Sequence, residues 1–183
     1  KFLKSEDSGL VLLHGEKGTG KTSYIRHLIN SVDKKFIYVP EAFFTNFTDP
    51  GFMSYLSTLK DSVIILEDCE DLLCKRDSGR TSLIADILNF SDGLLSDVFQ
   101  LKFICTFNCD LNKLDDAITR KGRLISNIEF DKLKVDKANA LLKELNIEND
   151  NKKDLPLCDI FNYEELKKEL AAKPDKDKRR IGF

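Results

Sequence analysis

The run Gly15-Glu16-Lys17-Gly18-Thr19-Gly20-Lys21-Thr22 carries residue types suited to one task, the holding of a polyphosphate. Its spacing is G-x-x-x-x-G-K-[ST] in full. Glycines let the backbone curl until successive N–H groups point inward at an anion. A helix beginning near Gly20 aims its positive end and its unpaired N–H groups at the same charge. Lys21 then supplies a mobile cation for the β- and γ-phosphates, expected as an exposed loop side chain, and Thr22 offers a hydroxyl to Mg²⁺. Thr19 and Ser23 flank the loop without being required by the chemistry. The competing reading is a plain glycine-rich turn. Against it, the complete motif stands directly between an apolar run and a helical pattern, so ATP with Mg²⁺ is the expected ligand of Gly15–Ser23.

Further along, Val63-Ile64-Ile65-Leu66 ends in Glu67 and Asp68. A phosphate loop needs a partner strand that brings carboxylates to Mg²⁺ and to an attacking water. Acids at strand ends are common, so the pair is weak by itself; its place downstream of Thr22 strengthens it. A second apolar run, Leu101–Cys105, leads to Thr106-Phe107-Asn108. Beyond it, Arg120 and Arg123 lie beside Gly122 and alone would read as solvated cations at a turn.

These residues need a scaffold, and the chain supplies the pattern of one. Short apolar runs at Leu10–Leu13, Phe36–Val39, Val63–Leu66, Leu101–Cys105 and Ile128–Phe130 alternate with helical patterns, which predicts a parallel α/β sheet. Most of these runs are apolar on both faces, as strands covered from both sides are. Ile25, Leu28, Ile29 and Val32 repeat at helical spacing after the first strand. Asp49-Pro50 reads as an N-cap and first-turn proline ahead of Phe52, Leu56 and Leu59. Leu83, Ile84, Ile87 and Leu88 mark a third helix closed by Asp92-Gly93. After residue 130 the character changes. One stripe (Val135, Ala138, Leu142, Leu145) and another (Leu157, Ile160, Phe161, Leu166) flank the polar stretch Glu148–Asp154. The expected organisation is an α/β unit over 1–130, a helical lid over 131–172 and a charged tail over 173–183.

Here the chain resembles a known family. The phosphate loop, the acidic strand Ile65-Leu66-Glu67-Asp68-Cys69-Glu70-Asp71 and Thr106-Phe107-Asn108 follow the order of AAA+ ATPases. Leu114-Asp115-Asp116-Ala117-Ile118-Thr119-Arg120-Lys121-Gly122-Arg123 fits the pattern L-D-x-A-x-x-R-x-G-R of the AAA subgroup at every named position. With Ile87-Leu88-Asn89-Phe90-Ser91-Asp92-Gly93, the likeness is closest to the mitochondrial Rieske-protein translocase type. The resemblance implies a P-loop fold with a five-stranded parallel sheet and a C-terminal lid. It implies that Glu67 holds Mg²⁺ through water, that Asp68 polarises the hydrolytic water and that Asn108 reads the γ-phosphate. Arg120 and Arg123 are implied to reach the ATP of an adjacent subunit in a homo-oligomeric, hexameric ring that remodels or moves a macromolecule. Two departures stand out. The family's acidic pair is Asp then Glu, and the exchange here points to altered water positioning and slower turnover. Leu155-Pro156-Leu157-Cys158-Asp159-Ile160 replaces the family's Gly-Ala turn in the lid.

Composition narrows the partners. A formal net charge of −2 argues against a domain made chiefly to bind a nucleic-acid backbone. A protein substrate is therefore favoured over nucleic acid, with a helicase-loader-like protein and a slow-hydrolysing assembly switch as the alternatives. Lys75-Arg76-Asp77-Ser78-Gly79-Arg80 reads as a solvated or inter-subunit loop. No apolar run approaches the ~18 residues of a membrane span. Five cysteines without framework spacing suggest reduced thiols and a cytoplasmic or other reducing compartment. The aromatic segment Glu41–Thr48, with Phe43, Phe44 and Phe47, is expected to bury its rings rather than grip a polypeptide. His14, ending the first strand, is expected to pack. The chain opens at Lys1 and its one methionine is Met53, so a fragment of a longer protein is expected.

Overall fold

Residues of β1 (Gly9–His14) alternate between two apolar faces, and so do those of β3 (Val63–Leu66) and β4 (Lys102–Phe107). Leu10, Leu12, Ile64, Leu66, Phe103, Cys105 and Phe107 point into one core. Val11, Leu13, Val63, Ile65 and Ile104 point into another on the opposite face. Strands built this way must be covered on both sides, and parallel pairing is the usual result. A computed structural model describes residues 3, 8–70, 87–88, 90–91, 94–108, 114, 118 and 124–172. It shows one five-stranded parallel sheet of order β2-β3-β4-β1-β5, with β2 at Phe36–Tyr38 and β5 at Leu124–Glu129. Helix α1 (Lys21–Ser31) covers the second core through Ile25, with Tyr24 and Leu28 beside it. A 3₁₀ helix (Glu41–Thr48) and α2 (Pro50–Ser57) cover the first through Phe44 and Leu56.

Local chemistry accounts for the helix starts. Asp49 accepts the backbone N–H of Phe52 at 3.0 Å, and Pro50, lacking an N–H, occupies the first turn, so α2 begins where the sequence predicts. Of the predicted third helix, Ile87 and Leu88 are helical and buried, whereas Leu83, Ile84, Asp92 and Gly93 lie outside the described residues. A short helix that the sequence pattern did not suggest, α3 (Leu94–Phe99), precedes β4.

Two expectations need correction. The last strand runs over Leu124–Glu129 rather than Ile128–Phe130. It lies at the sheet edge, where alternate side chains face water, so Ser126 and Asn127 break up the apolar run that a central strand would show. In the aromatic segment Phe44 is buried at 3% exposure, but Phe43 stands 49% exposed, so its rings do not all go inside.

At the N-terminal ends of β3 and β4 an ion cluster sits beneath the sheet. Asp61, in the left-handed region at φ 59, accepts hydrogen bonds from Lys34 and, at 3.0 Å, from the fully buried Lys102. The Lys34 hydrogen bond, aided by Lys102 and opposed by burial, holds the Asp61 carboxyl below the usual carboxylate range. Its stabilising effect is therefore complete above the unfolded value of about 3.9 and is lost as pH falls through the lower folded value. Asp61→Ala removes the anion from a buried ammonium. The cost is expected on the low side of the ~3–5 kcal/mol for a broken buried pair, about 2–3 kcal/mol, because Asp61 remains 38% exposed. Urea unfolding at neutral pH measures it; a loss under about 1 kcal/mol would show that the cluster is ornamental.

The contacts divide the chain into two compact units, Lys1–Phe130 and Asp131–Phe183. In the second, α4 (Val135–Glu144) packs with α5 (Leu157–Phe161) and α6 (Tyr163–Ala172) around Ala138, Leu142, Leu155, Ile160 and Tyr163. The second predicted stripe is thus two helices broken at Asn162, and Phe161 and Leu145 are exposed at 61% and 37%. The polar stretch between α4 and α5 is tied down by paired amides of Asn139 and Asn151 at 3.2 Å and by Asp154, which accepts the Val135 N–H at 3.1 Å. Residues 173–183, the expected tail, lie outside the described residues. Among the described residues no helix is long and apolar enough to cross a membrane.

Candidate active site

Parallel strands gather their carboxyl ends along one rim, which is where ligands of such sheets bind. Register decides which residues meet there. His14 at the end of β1 stands level with Phe107 of β4, and Leu66 of β3 stands level with Cys105. Gly15, Asn108 and Glu67 therefore emerge side by side from three adjacent strands.

The loop after β1 has the backbone expected of a phosphate cradle. Gly15, Gly18 and Gly20 have φ of 136, 79 and 106, values that L side chains rarely adopt. A Cβ at Gly15 would run into the Phe130 carbonyl, so close approach also requires glycine there. Thr19 is buried and donates to the Glu16 carbonyl at 2.7 Å, a contact that holds the loop closed. Helix α1 then begins with no side-chain cap hydrogen bond and no acidic residue in its first turn. Leaving that positive end without a side-chain cap suits an anionic ligand.

Lys21 departs from expectation. It is only 7% exposed, not a free loop cation, and its ammonium donates to the carbonyls of Gly15 at 2.6 Å and Glu16 at 2.9 Å. Burial lowers its pKa, partly offset by the nearby Asp68 and Glu70 carboxylates and reinforced by Lys17. The phosphate curl bends over the lysine, and the lysine satisfies the loop's own carbonyls. Glu16, Lys17 and Gly18 line the loop, and Ser23 is an exposed residue of α1.

Across the rim, Thr22 donates its hydroxyl to Glu67 Oε1 at 2.6 Å, although 45 positions separate them in sequence. A hydroxyl and a carboxylate held this close are hard oxygen donors of the kind Mg²⁺ takes beside phosphates, so the residues present fit that ion. Asp68 follows in the left-handed region at φ 53, which Asp and Asn tolerate better than most residues. Its turn is fastened to β4 twice. The Asp68 N–H donates to the Thr106 hydroxyl at 3.1 Å, and the Cys69 N–H to the Thr106 carbonyl at 2.9 Å. Asn108 Nδ2 donates to Asp68 Oδ1 at 3.1 Å, so the amide and the carboxylate face each other.

The structure thus brings together Gly15–Thr22, Glu67, Asp68 and Asn108. Arg120 and Arg123 lie outside the described residues. Sequence reasoning gives no role to two residues that the structure places in the site. Thr106 anchors the Asp68 turn, and Glu70 accepts both N–H groups that Asn108 offers to it. Glu70 had a signal in its spacing, two residues past Asp68 on the same turn; Thr106 had none beyond its place at a strand end. His14 packs as expected, buried and stacked on Phe107 at 5.5 Å between centroids.

Comparison with known proteins agrees with this geometry. The family described as "ATPase family associated with various cellular activities (AAA)" matches residues 11–132. Three similar curated proteins come from Arabidopsis thaliana. AAA-ATPase At2g46620 is 30% identical over 120 residues, covering 65% of this chain and 24% of that protein. AAA-ATPase At3g28570, mitochondrial, is 30% identical over 135 residues, covering 65% and 29%. AAA-ATPase At3g28600 is 26% identical over 140 residues, with the same coverage of 65% and 29%. The chain spans under a third of the length of each of these relatives.

Proposed function

From the premise that the chain belongs to the AAA family of ATPases, we propose that it binds ATP with Mg²⁺ and hydrolyses it at the subunit interfaces of a homo-oligomeric ring, using the turnover to remodel or translocate a macromolecule. The observation that carries this reading is the meeting of Thr22 and Glu67 at 2.6 Å over the uncapped start of α1, with Asp68 and Asn108 alongside. Backbone N–H groups of the glycine curl and α1 receive the phosphates. The Lys21 ammonium exchanges the Gly15 and Glu16 carbonyls for phosphate oxygens. Thr22 and, through water, Glu67 would hold Mg²⁺, which would neutralise charge on the phosphate oxygens. Asp68 orients the attacking water and takes its proton at a carboxylate oxygen, while Asn108 donates to the γ-phosphate.

Arg120 and Arg123 carry the role of fingers reaching the neighbouring subunit's ATP. Within the family, Ile87–Gly93 and the Leu114–Arg123 pattern support the Rieske-protein translocase type, a hexameric ring and a protein substrate. The net charge of −2 supports protein over nucleic acid. The unit beginning at Asp131 acts as the lid. The free thiols Cys69, Cys105 and Cys158 support a reducing compartment, cytoplasmic or equivalent. The exchanged order of Glu67 and Asp68 favours one second reading, an assembly switch that turns over slowly; the turnover rate of the assembled protein separates it from a motor.

The test is Lys21→Ala. Nucleotide affinity, followed by calorimetry with ATP and Mg²⁺, should fall below detection. Because Lys21 also holds the carbonyls of Gly15 and Glu16, the variant's melting curve is recorded alongside, and a folded chain is expected. Parent-like affinity for ATP would overthrow the phosphate-site assignment.

A further inference from the structure

Glu70 makes two contacts to one residue, and no role assigned so far uses them. Its Oε1 accepts the backbone N–H of Asn108 at 2.8 Å and the side-chain Nδ2 of the same residue at 2.5 Å. The other hydrogen on Nδ2 serves Asp68 Oδ1 at 3.1 Å. A primary amide has two N–H donors at one end and a carbonyl at the other. With carboxylates on two sides of that end, only the nitrogen fits there, because a carbonyl oxygen would meet acceptors alone. Glu70 therefore determines which way the amide faces, and through the backbone contact it also fixes where β4 releases the chain.

We propose that Glu70 is the positioning residue for Asn108, holding one amide N–H permanently so that only the other is exchangeable. In the structure that second N–H rests on Asp68 Oδ1. A γ-phosphate that claimed it would leave the Asp68 carboxylate free for the attacking water. The two functions assigned to Asp68 and Asn108 are thereby coupled: the site readies its base only when a third phosphate is present to claim the amide. Glu70 itself touches neither substrate nor water in this scheme. The inference rests on the reading of Asn108 and Asp68 given above.

Glu70→Ala frees the amide to rotate and the β4 end to drift. Misplacing a catalytic group by about 1 Å can cost on the order of 10²-fold in rate. The expected result is a kcat lower by about 10–10²-fold with ATP affinity near the parent's. Glu70→Gln keeps an acceptor oxygen of the same reach and should recover much of the rate, which a loss of general folding would not do. Should Glu70→Ala fail to fold, Glu70→Asp, one methylene short of both N–H groups, takes its place in the test. In the cycle, adding the Glu70 change to Asn108→Ala should slow the enzyme far less than it slows the parent, because Glu70 acts chiefly through that amide. Turnover of Glu70→Ala at the parent rate overturns the proposal, as does a double variant slowed by the product of its single effects. So does a matched fall in ATP affinity, which would mark Glu70 as a binding or structural group. If instead the parent shows no ATP turnover, or Asp68→Asn leaves it unchanged, it is the functional reading beneath this one that fails.

Discussion

Asp68→Asn is expected to leave ATP bound and to slow its hydrolysis by about 10²–10⁴-fold, the usual worth of general-base assistance. The substitution is conformationally clean, because asparagine tolerates the φ of 53 at least as well as aspartate does. The backbone tie to Thr106 uses the N–H and not the side chain, so the turn should keep its place. Thr22 and Glu67 remain paired at 2.6 Å, and so the groups that would hold Mg²⁺ and the phosphates are untouched. What disappears is the anion able to take a proton from water. A retained, unhydrolysed nucleotide in the isolated variant, together with a single-turnover rate, measures the effect. Hydrolysis at the parent rate would move the base elsewhere, first to Glu67, whose longer side chain stands one residue earlier.

The combined change Arg120→Ala, Arg123→Ala should bind ATP normally and hydrolyse it slower by about 10³–10⁵-fold, the range for an arginine finger acting on a transferring phosphoryl group. Both residues lie outside the described residues, and under the proposed function they would serve the neighbour's nucleotide and not their own. Two consequences distinguish a shared site from a self-contained one. Parent activity should climb faster than linearly with protein concentration as rings form. Mixing the arginine variant with Lys21→Ala should restore part of the activity, at interfaces where one chain brings nucleotide and the other brings arginines. Full activity of a dilute monomer, or parent-rate hydrolysis by the double variant, would end the shared-site reading.

The phosphate loop was legible because nearly all of its demands are local, the Phe130 carbonyl packed against Gly15 being the exception. Gly15, Gly18 and Gly20 are required by backbone angles that the loop itself sets, and the start of α1 follows within a few residues. The central strands were legible for a similar reason, since burial on both faces leaves an unbroken apolar run. Edge position blurred β5, where half the side chains meet water. Strand order was decided only in three dimensions. The insertion of β4 between β3 and β1 puts Asn108 and Thr106 against the acidic turn and draws Glu67 to Thr22. The clamp of Glu70 on Asn108 and the ion cluster that joins Lys34, Asp61 and Lys102 share that origin. Each depends on which distant segments pack together, and a register between strands far apart in sequence is set by side chains meeting across the sheet, a constraint that no single stretch of chain contains.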